Sequence, residues 1–225
     1  MSKLIENGYT ILENMYTQDD IDKILLNKLE NIEISSRFDF EFIEKNKINS
    51  GINKKISLSE ITPFMNTEIQ TSQFFWQSDS IIRLKEDFPE TSKKILEIYN
   101  MKDFRENSNL QTYLPGSFIK KHDDGIVEDR FVVVLTPLNT KPENAEGGDL
   151  ILDLKDGTRL VIENKIGNVI LLDFTENNLK HEVTEIKNWA RVVLVSFLFF
   201  KWYLYMSVGT NSGEIPERPN LPKRH

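Results

Sequence analysis

The stretch that decides how this chain folds and works is QTYLPGSFIKKHDDGIVEDR, residues 111–130. It contains His122, one of the three histidines of the chain, and the carboxylate Asp124 two positions later. In an extended strand, side chains at positions i and i+2 point to the same face, so both groups can reach one point while Asp123 points away. The stretch therefore predicts a strand that presents an imidazole and a carboxylate together.

A neutral imidazole and a carboxylate are two of the three ligands in the facial triad that holds non-heme Fe(II). The chain has no cysteine, so a thiolate metal site and a cysteine nucleophile are excluded. The other internal histidine, His181, opens a predicted strand far downstream, and distant strands pair side by side in a jelly roll. Each histidine alone is more typical of a structural residue, but together they indicate a metal site.

The composition narrows the class of protein. A chain of 225 residues can bury a sizeable core, and all-β folds of this length routinely form one domain. The net charge of −7 argues against a nucleic-acid partner, because phosphate contacts require a basic face. No apolar run approaches the ~20 residues that span a bilayer, so no membrane partner is expected. Residues 1–8 lack the apolar core of a secretion signal, which predicts a cytoplasmic location.

The N-terminal part of the chain is predicted to be mostly helical. An amphipathic helix is expected from an N-cap at Thr17 to about Ile32. The polar, weakly periodic segment Ser35–Thr67 predicts irregular or lid-like structure. Helical periodicity returns over Ser78–Met101, where Pro89 begins either the second half of that helix or a second helix.

After residue 107 the pattern changes to short strand-like runs separated by turn signals, which is typical of a sandwich or jelly roll. The predicted fold class is mainly β with N-terminal helices (α+β). We expect a single domain over residues 1–225, with a helical part and lid at 1–106, a β core at 107–206 and a tail at 207–225. The predicted strands are Tyr9–Leu12, Leu110–Leu114, Phe118–His122, Arg130–Leu138, Asp149–Leu154, Arg159–Ile162, Asn168–Phe174, His181–Ile186 and Arg191–Tyr205.

Arg191 begins the last predicted strand. Alternation places Arg191, Val193 and Val195 on one face, which puts a single guanidinium in an otherwise apolar wall. A buried guanidinium needs an anionic partner, and its planar fork suits a carboxylate. The partner is either a protein carboxylate, such as Asp173 or Glu182, or the carboxylate of a bound molecule.

The ordered motifs closely resemble those of the iron(II)- and 2-oxoglutarate-dependent dioxygenases, in particular the prolyl-hydroxylase-like branch. The resemblance covers about residues 107–202, and it implies a double-stranded β-helix core (jelly roll, cupin-like). The motifs, in chain order, are Tyr113-x-Pro-Gly, His122-x-Asp124, Arg130, Leu138-Asn139, Gly147-Gly148-x-Leu150, Gly167 to Phe174, His181-Glu-Val and Arg191.

The resemblance also implies the chemistry. His122, Asp124 and His181 would bind Fe(II), and Arg191 would pair with the far carboxylate of 2-oxoglutarate. 2-Oxoglutarate and O2 would be cosubstrates, with ascorbate as a supporting reductant. The reaction would oxidise 2-oxoglutarate to succinate and hydroxylate an unactivated C–H bond. The carboxylate of Asp124 favours hydroxylation, because related radical halogenases carry a small residue there so that chloride can bind.

The sequence departs from the family pattern in two places. Where oxygen-sensing prolyl hydroxylases carry a tyrosine that binds the far carboxylate, this chain has Pro137, and a usual glycine near the arginine is replaced by Trp189-Ala190. The second cosubstrate anchor is therefore expected to be Tyr113, for which packing in the barrel is the alternative role, or a neighbouring hydroxyl such as Thr136.

The substrate is expected to be a small molecule, such as a free amino acid or a natural-product intermediate, because neither a signal peptide nor an accessory domain is recognised. Arg130 and Gln111 are the candidate substrate contacts, although Arg130 is also compatible with a structural role. One alternative is a peptidyl, prolyl-type protein hydroxylase. An alternative of another class is a non-catalytic jelly-roll module that binds a metal or a small ligand.

Overall fold

Two antiparallel sheets dominate the residues that the computed structural model describes, which are 7–28, 75–79, 82–124, 130–173 and 179–200. Several predicted segments lie wholly or partly outside them, among them the end of the first helix after Lys28, the lid-like Ser35–Thr67, and the chain after Phe200. Within the described ranges, no helix is both long and apolar enough to cross a membrane.

The elements in chain order are one strand, a helix, a second strand, two further helices and eight strands. The helices are α1 (Gln18–Lys28), α2 (Leu84–Asp87) and α3 (Pro89–Tyr99). The strands are β1 (Tyr9–Leu12), β2 (Phe75–Asp79), β3 (Arg105–Tyr113), β4 (Ile119–His122), β5 (Arg130–Pro137), β6 (Leu150–Asp153), β7 (Arg159–Ile162), β8 (Val169–Asp173), β9 (Lys180–Val183) and β10 (Arg191–Phe199).

The strand order is that of a jelly roll. The larger sheet has the order β1-β8-β5-β10-β3-β2, and the smaller sheet has the order β4-β9-β6-β7. Strands that are distant in sequence therefore lie side by side, as in the antiparallel pairs of β5 with β10 and β4 with β9. The predicted fold class, mainly β with N-terminal helices around a jelly-roll core, is confirmed.

The central strands β5, β8 and β10 of the larger sheet are buried on both faces, and their alternating side chains enter two different cores. In β5, Val133 and Leu135 belong to the core between the two sheets, whereas Val132 and Val134 belong to the core under the helices. Every residue of β5 is buried as a result, which explains its nearly continuous apolar sequence.

α1 begins with the predicted N-cap. The backbone N–H of Asp20 donates to Thr17 Oγ1 (3.2 Å), and the backbone N–H of Thr17 donates to Asp20 Oδ2 (2.8 Å). Tyr16, just before this cap, donates its hydroxyl to the carbonyl of Pro137 at 2.6 Å. This hydrogen bond ties the start of α1 to the end of β5 in the larger sheet.

The expectation of a helix over the whole of Ser78–Met101 was wrong. Ser78 lies in β2, which pairs with β3 at the edge of the larger sheet, and the helical part is divided into α2 and α3. Pro89 occupies the first turn of α3, which is the predicted alternative in which Pro89 begins a second helix. Periodicity failed here because a run as short as β2 does not distinguish a strand from a helix. Pairing with the long strand β3 makes it a strand.

A pair of glycines makes the turn that enters β6. Gly147 and Gly148 have φ values of +71° and +77°, which residues with a Cβ rarely adopt. A Cβ on Gly147 would lie 1.7 Å from the carbonyl oxygen of Glu185, and a Cβ on Gly148 would lie 2.6 Å from the ring of Trp189. The two glycines therefore allow a close approach between this turn and the chain leading to Arg191.

Alanine substitutions can separate this close approach from backbone strain, because Gly157 also has a positive φ (+87°) but has no atom within 4 Å of the position that a Cβ would take. Gly157→Ala is expected to lower the free energy of unfolding by about 1–2 kcal/mol. Gly147→Ala should lower it by about 4 kcal/mol or more, because the clash with Glu185 adds to the strain. Urea denaturation followed by tryptophan fluorescence measures both, and equal losses would contradict the close approach.

Candidate metal centre and cosubstrate site

His122 and His181 face each other across two neighbouring strands. They are register partners in the β4–β9 pair, and their ring centroids are 4.3 Å apart. Both side chains are largely buried. The antiparallel pairing therefore brings together two residues that are far apart in sequence, as the jelly-roll argument predicted.

A bulge in β4 turns His122 toward the interior. Ile119 pairs with Val183 and His122 pairs with His181, so three steps along β4 match two along β9. Ile119 and His122 are both buried, while the two residues between them are exposed. Without the extra residue, strict alternation from Ile119 would point His122 at solvent.

Asp124 follows the end of β4 rather than lying inside a strand, and it still reaches both imidazoles. Its Oδ1 atom lies 3.4 Å from His122 Nε2 and 3.8 Å from His181 Nε2. One ligand atom from each of the three residues can be chosen so that all lie within 4.8 Å of one another. The structure thus brings the three predicted ligands to one point.

The orientation of both imidazoles suits metal binding. His122 Nδ1 lies 2.8 Å from the carbonyl oxygen of Lys120, and His181 Nδ1 lies 3.1 Å from that of Leu179. Because a carbonyl can only accept, Nδ1 carries the proton of each neutral imidazole, which leaves the lone pair on Nε2. A ligand histidine typically makes this kind of hydrogen bond through its other nitrogen, so the residues fit a divalent ion.

The electrostatics of the cluster favour a cation between the three groups. Burial is the largest influence on the pKa of Asp124 and raises it, but His181, His122 and Arg130 together outweigh burial and lower the pKa to about 2. Burial lowers the pKa of His181, with partial opposition from Asp124. For His122, burial acts downward, but the hydrogen bond and charge of Asp124 raise its pKa. An ionised carboxylate beside a neutral imidazole is a donor set for Fe(II).

Arg191 lies on the interior wall of the larger sheet. It is the first residue of β10, only 4% of it is exposed, and its Cζ atom lies 4.9 Å from the centroid of the Tyr113 ring. Its Nε atom is buried and has no hydrogen-bond partner among the described residues. A buried guanidinium with an unused donor fits the carboxylate of a bound molecule.

The predicted salt-bridge alternatives for Arg191 are not observed within the described part of the chain. Glu182 instead pairs with Arg159, and neither Glu182 nor Asp173 forms an ion pair with Arg191. Asp149 contributes a weak attraction but is itself paired with Lys141 at 2.8 Å. The protein groups described here leave the charge of Arg191 available to a ligand.

Tyr113 and Gln111 share the interior face with Arg191, and Thr136 does not. Tyr113 is the register partner of Arg191, and its hydroxyl donates to Gln111 Oε1 at 2.7 Å. Burial raises the pKa of Tyr113 to about 12 against the opposing charge of Arg191, so the phenol keeps its proton. Thr136 has the same parity in β5 as Val134, which belongs to the core under the helices, so the structure does not bring Thr136 to Arg191.

Arg130, the other candidate substrate contact, lies beside the metal cluster. Its Nη2 atom donates to the carbonyl oxygen of Asp124 at 2.8 Å, and its Cζ lies 5.6 Å from the centroid of the Phe197 ring. Only 7% of the residue is exposed. Arg130 therefore holds the main chain of Asp124 and also places a positive charge next to it.

Residues 108–199 match the family described as the 2OG-Fe(II) oxygenase superfamily. This segment is a 2OG-Fe(II) oxygenase domain. The family uses Fe(II), 2-oxoglutarate and O2, as the sequence predicted, and the domain is that of a 2-oxoglutarate-dependent dioxygenase. No curated protein matches the chain in sequence.

Solved structures with the same fold include three prolyl hydroxylases. The Pseudomonas putida prolyl-4-hydroxylase has 16% identity and a TM-score of 0.55, over 88% of this chain and 95% of that chain. The viral collagen prolyl hydroxylase of Paramecium bursaria Chlorella virus-1, in a 2OG complex, has 14% identity and a TM-score of 0.56, over 88% and 99%. The Trichoplax adhaerens prolyl hydroxylase, in complex with a hypoxia inducible factor peptide fragment, has 15% identity and a TM-score of 0.56, over 92% and 90%. The expected likeness to the prolyl-hydroxylase-like branch is confirmed at the level of the fold.

Sequence reasoning missed the groups that orient the two histidines. The acceptors are the main-chain carbonyls of Lys120 and Leu179, and every residue type has such a carbonyl, so no side-chain motif marks them. The only available signal was the pair of lysines between Ile119 and His122, which breaks the alternation of β4 and indicates a bulge.

The contact between Arg130 and Asp124 predicts a supporting role in metal binding. Arg130→Met keeps much of the side-chain volume but removes the donor to Asp124, and it should weaken Mn²⁺ binding by about 10-fold, the lower end for loss of a group that orients a ligand. Titration calorimetry with Mn²⁺ as the probe measures the affinity.

Arg105→Met is the matched control, because Arg105 also lies over an aromatic ring of β10, that of Phe199, with its Cζ 5.2 Å from the ring centroid. Arg105 is exposed, whereas Arg130 is buried and donates to Asp124, so loss of Arg105 should leave Mn²⁺ affinity unchanged. Equal affinities for the two variants would show that Arg130 does not support Asp124.

Proposed function

We propose that this protein is an Fe(II)- and 2-oxoglutarate-dependent hydroxylase whose metal ligands are His122, Asp124 and His181, and that it hydroxylates an unactivated C–H bond of a small molecule. The observation that carries this proposal is the convergence of two Nε2 atoms and one carboxylate oxygen at the end of the β4–β9 pair. The oxygenase domain over residues 108–199 supports the same reaction class.

His122, Asp124 and His181 would hold the ion and leave positions open for small molecules. When bound, Fe(II) supplies the oxidative decarboxylation of 2-oxoglutarate to succinate and CO2, with one oxygen atom of O2 entering succinate and the other entering the substrate as a hydroxyl group. The carbonyls of Lys120 and Leu179 hold the proton of each neutral imidazole on Nδ1, which leaves Nε2 as the metal-binding atom, and the charge of Arg130 helps to keep Asp124 ionised. The carboxylate of Asp124 in the triad supports hydroxylation over halogenation.

Arg191 and Tyr113 are proposed to bind the far carboxylate of 2-oxoglutarate. Arg191 offers a buried guanidinium, and the neighbouring Tyr113 offers a phenol that keeps its proton because its pKa is raised to about 12. Both project from the larger sheet into the core that it shares with the smaller sheet, where the metal cluster lies. A cosubstrate that bridges the two sheets satisfies both the charge of Arg191 and the open metal positions.

For the substrate, the buried charge of Arg130 beside Asp124 supports a small molecule with a carboxylate, such as a free amino acid or a natural-product intermediate. Gln111, on the interior face of β3, could add an amide contact. The second candidate is a peptidyl proline or another protein side chain. It is favoured by the fold shared with prolyl hydroxylases, one of which is in complex with a peptide fragment.

The reaction class is tested by succinate formation. Wild-type protein with Fe(II), ascorbate and 2-oxoglutarate is expected to produce succinate, and His122→Ala should reduce the rate by at least ~100-fold, because the loss of a first ligand exceeds the effect of a supporting group. His225→Ala is the matched control for the removal of a histidine outside the proposed triad, and it should retain the wild-type rate. No succinate above the His122→Ala background, with or without candidate substrates, would favour the non-catalytic binding module.

The substrate class is tested by mass spectrometry of products from two sets of compounds. One set contains free amino acids and small carboxylates, and the other contains proline-containing peptides with blocked termini. A gain of one oxygen atom is expected in the first set, because Arg130 can pair with a free carboxylate. Oxygen gained only by the blocked peptides would overturn the small-molecule assignment in favour of peptidyl hydroxylation.

A further inference from the structure

The side chain of Asn139 bridges the two peptide groups that flank Arg191. Its Nδ2 donates to the carbonyl oxygen of Ala190 at 2.7 Å, and its Oδ1 accepts from the backbone N–H of Val192 at 3.0 Å. One amide side chain thus contacts the residue before Arg191 and the residue after it. We propose that Asn139 is a positioning residue that sets the direction of the Arg191 side chain toward 2-oxoglutarate, an inference that rests on the proposed function.

The two hydrogen bonds of the Asn139 side chain replace strand pairing where β5 ends. The register of β5 against β10 ends with Pro137 opposite Val193, and the N–H of Leu138 then donates to the carbonyl of Val192 at 2.9 Å. Beyond this point the amide of Asn139 makes the two hydrogen bonds that a further strand residue would make. Arg191 is therefore held on both sides, by the β3 ladder through Tyr113 and by Asn139.

The orientation of the Asn139 amide is determined by its partners. The N–H of Val192 needs an acceptor and the carbonyl of Ala190 needs a donor, so a flipped amide would lose both bonds. Asn164, which is 3% exposed, donates through Nδ2 to the main-chain oxygen of Asn139 at 2.6 Å and to its Oδ1 at 3.1 Å. This second amide fixes the first one in the required orientation.

The backbone around Arg191 needs to be fixed because the side chain of arginine is long. A buried guanidinium is commonly anchored by a carboxylate, and among the described residues no carboxylate pairs with that of Arg191. With the Ala190 and Val192 peptides held, the direction from Cα to Cβ is set, and the guanidinium stays over the Tyr113 ring. A small error in the position of a binding group can reduce its effect by a large factor. Loss of the Asn139 bridge should therefore affect the cosubstrate more than the metal.

Asn188 provides a matched control for the loss of an asparagine that bridges two backbone groups. Its Oδ1 accepts from the N–H of Glu146 at 2.9 Å, and its Nδ2 donates to the carbonyl of Asn144 at 2.9 Å. Asn188 lies close to Arg191 in the chain but does not hold the peptides on either side of it. A general loss of stability would appear in variants of both asparagines, whereas a positioning role would appear only at Asn139.

The test compares Asn139→Asp with Asn188→Asp. Asn139→Asp keeps the acceptor for Val192 but replaces the donor to Ala190 with a second oxygen, which the carbonyl repels. Calorimetric titration of 2-oxoglutarate into Mn²⁺-loaded protein, without O2, should show a Kd at least ~10-fold higher for Asn139→Asp, with Mn²⁺ affinity unchanged. Arg191→Ala sets the upper limit of the effect.

The outcomes separate this inference from the function on which it rests. Equal Kd values for the Asn139 and Asn188 variants would overturn the positioning role alone, whereas no 2-oxoglutarate binding by the wild-type protein would overturn the proposed function and the inference with it. If Asn139→Asp does not fold, Asn164→Ala replaces it, because it removes only the donor that fixes Asn139. That variant should raise the Kd in the same direction by a smaller factor, and a Kd equal to that of wild type would overturn the inference.

Discussion

The pairing of β4 with β9 is the constraint on which the rest of the site depends. It places His122 directly opposite His181, and the bulge after Ile119 is what turns His122 inward. The same backbone irregularity puts the carbonyl of Lys120 within hydrogen-bonding distance of His122 Nδ1. One extra residue in a strand of the smaller sheet therefore determines both the direction of an imidazole and its protonated nitrogen. Asp124 follows the strand end closely enough to reach both rings.

The site requires both sheets at once. The smaller sheet carries the two histidines, and the larger sheet carries Arg191 and Tyr113 on the wall that faces the same core. A cosubstrate held by the metal at one end and by a guanidinium at the other must cross that core. Burial of the central strands of the larger sheet on both faces keeps the wall in a fixed position, because the helices pack against its other side.

Much of this arrangement could be predicted from residue types and alternation. Alternation along β10 correctly placed Arg191, Val193 and Val195 on one wall, because a long strand in a central position keeps a strict period of two. Thr136 was the alternative second anchor because it neighbours Pro137 in sequence, but its parity in β5 is that of Val134, on the face toward the helices. The bulge in β4, the edge strand β2 and the orienting carbonyls depend on pairing between distant segments, which a single sequence does not display.

Pro137 is a departure from the family pattern on the wall that carries Arg191. Its parity in β5 is that of Val133 and Leu135, so position 137 faces the same core as Arg191, where a tyrosine could reach a bound carboxylate. Proline supplies neither a hydroxyl nor an N–H, and β5 ends at this residue. The hydroxyl is available instead from Tyr113 on the other side of β10. Main-chain pairing with β10 continues through the N–H of Leu138, and the side chain of Asn139 takes over after it. A proline at this point thus makes Tyr113 the proposed second anchor, while the side chain of Asn139 supports Arg191 beyond the end of β5 independently of residue 137.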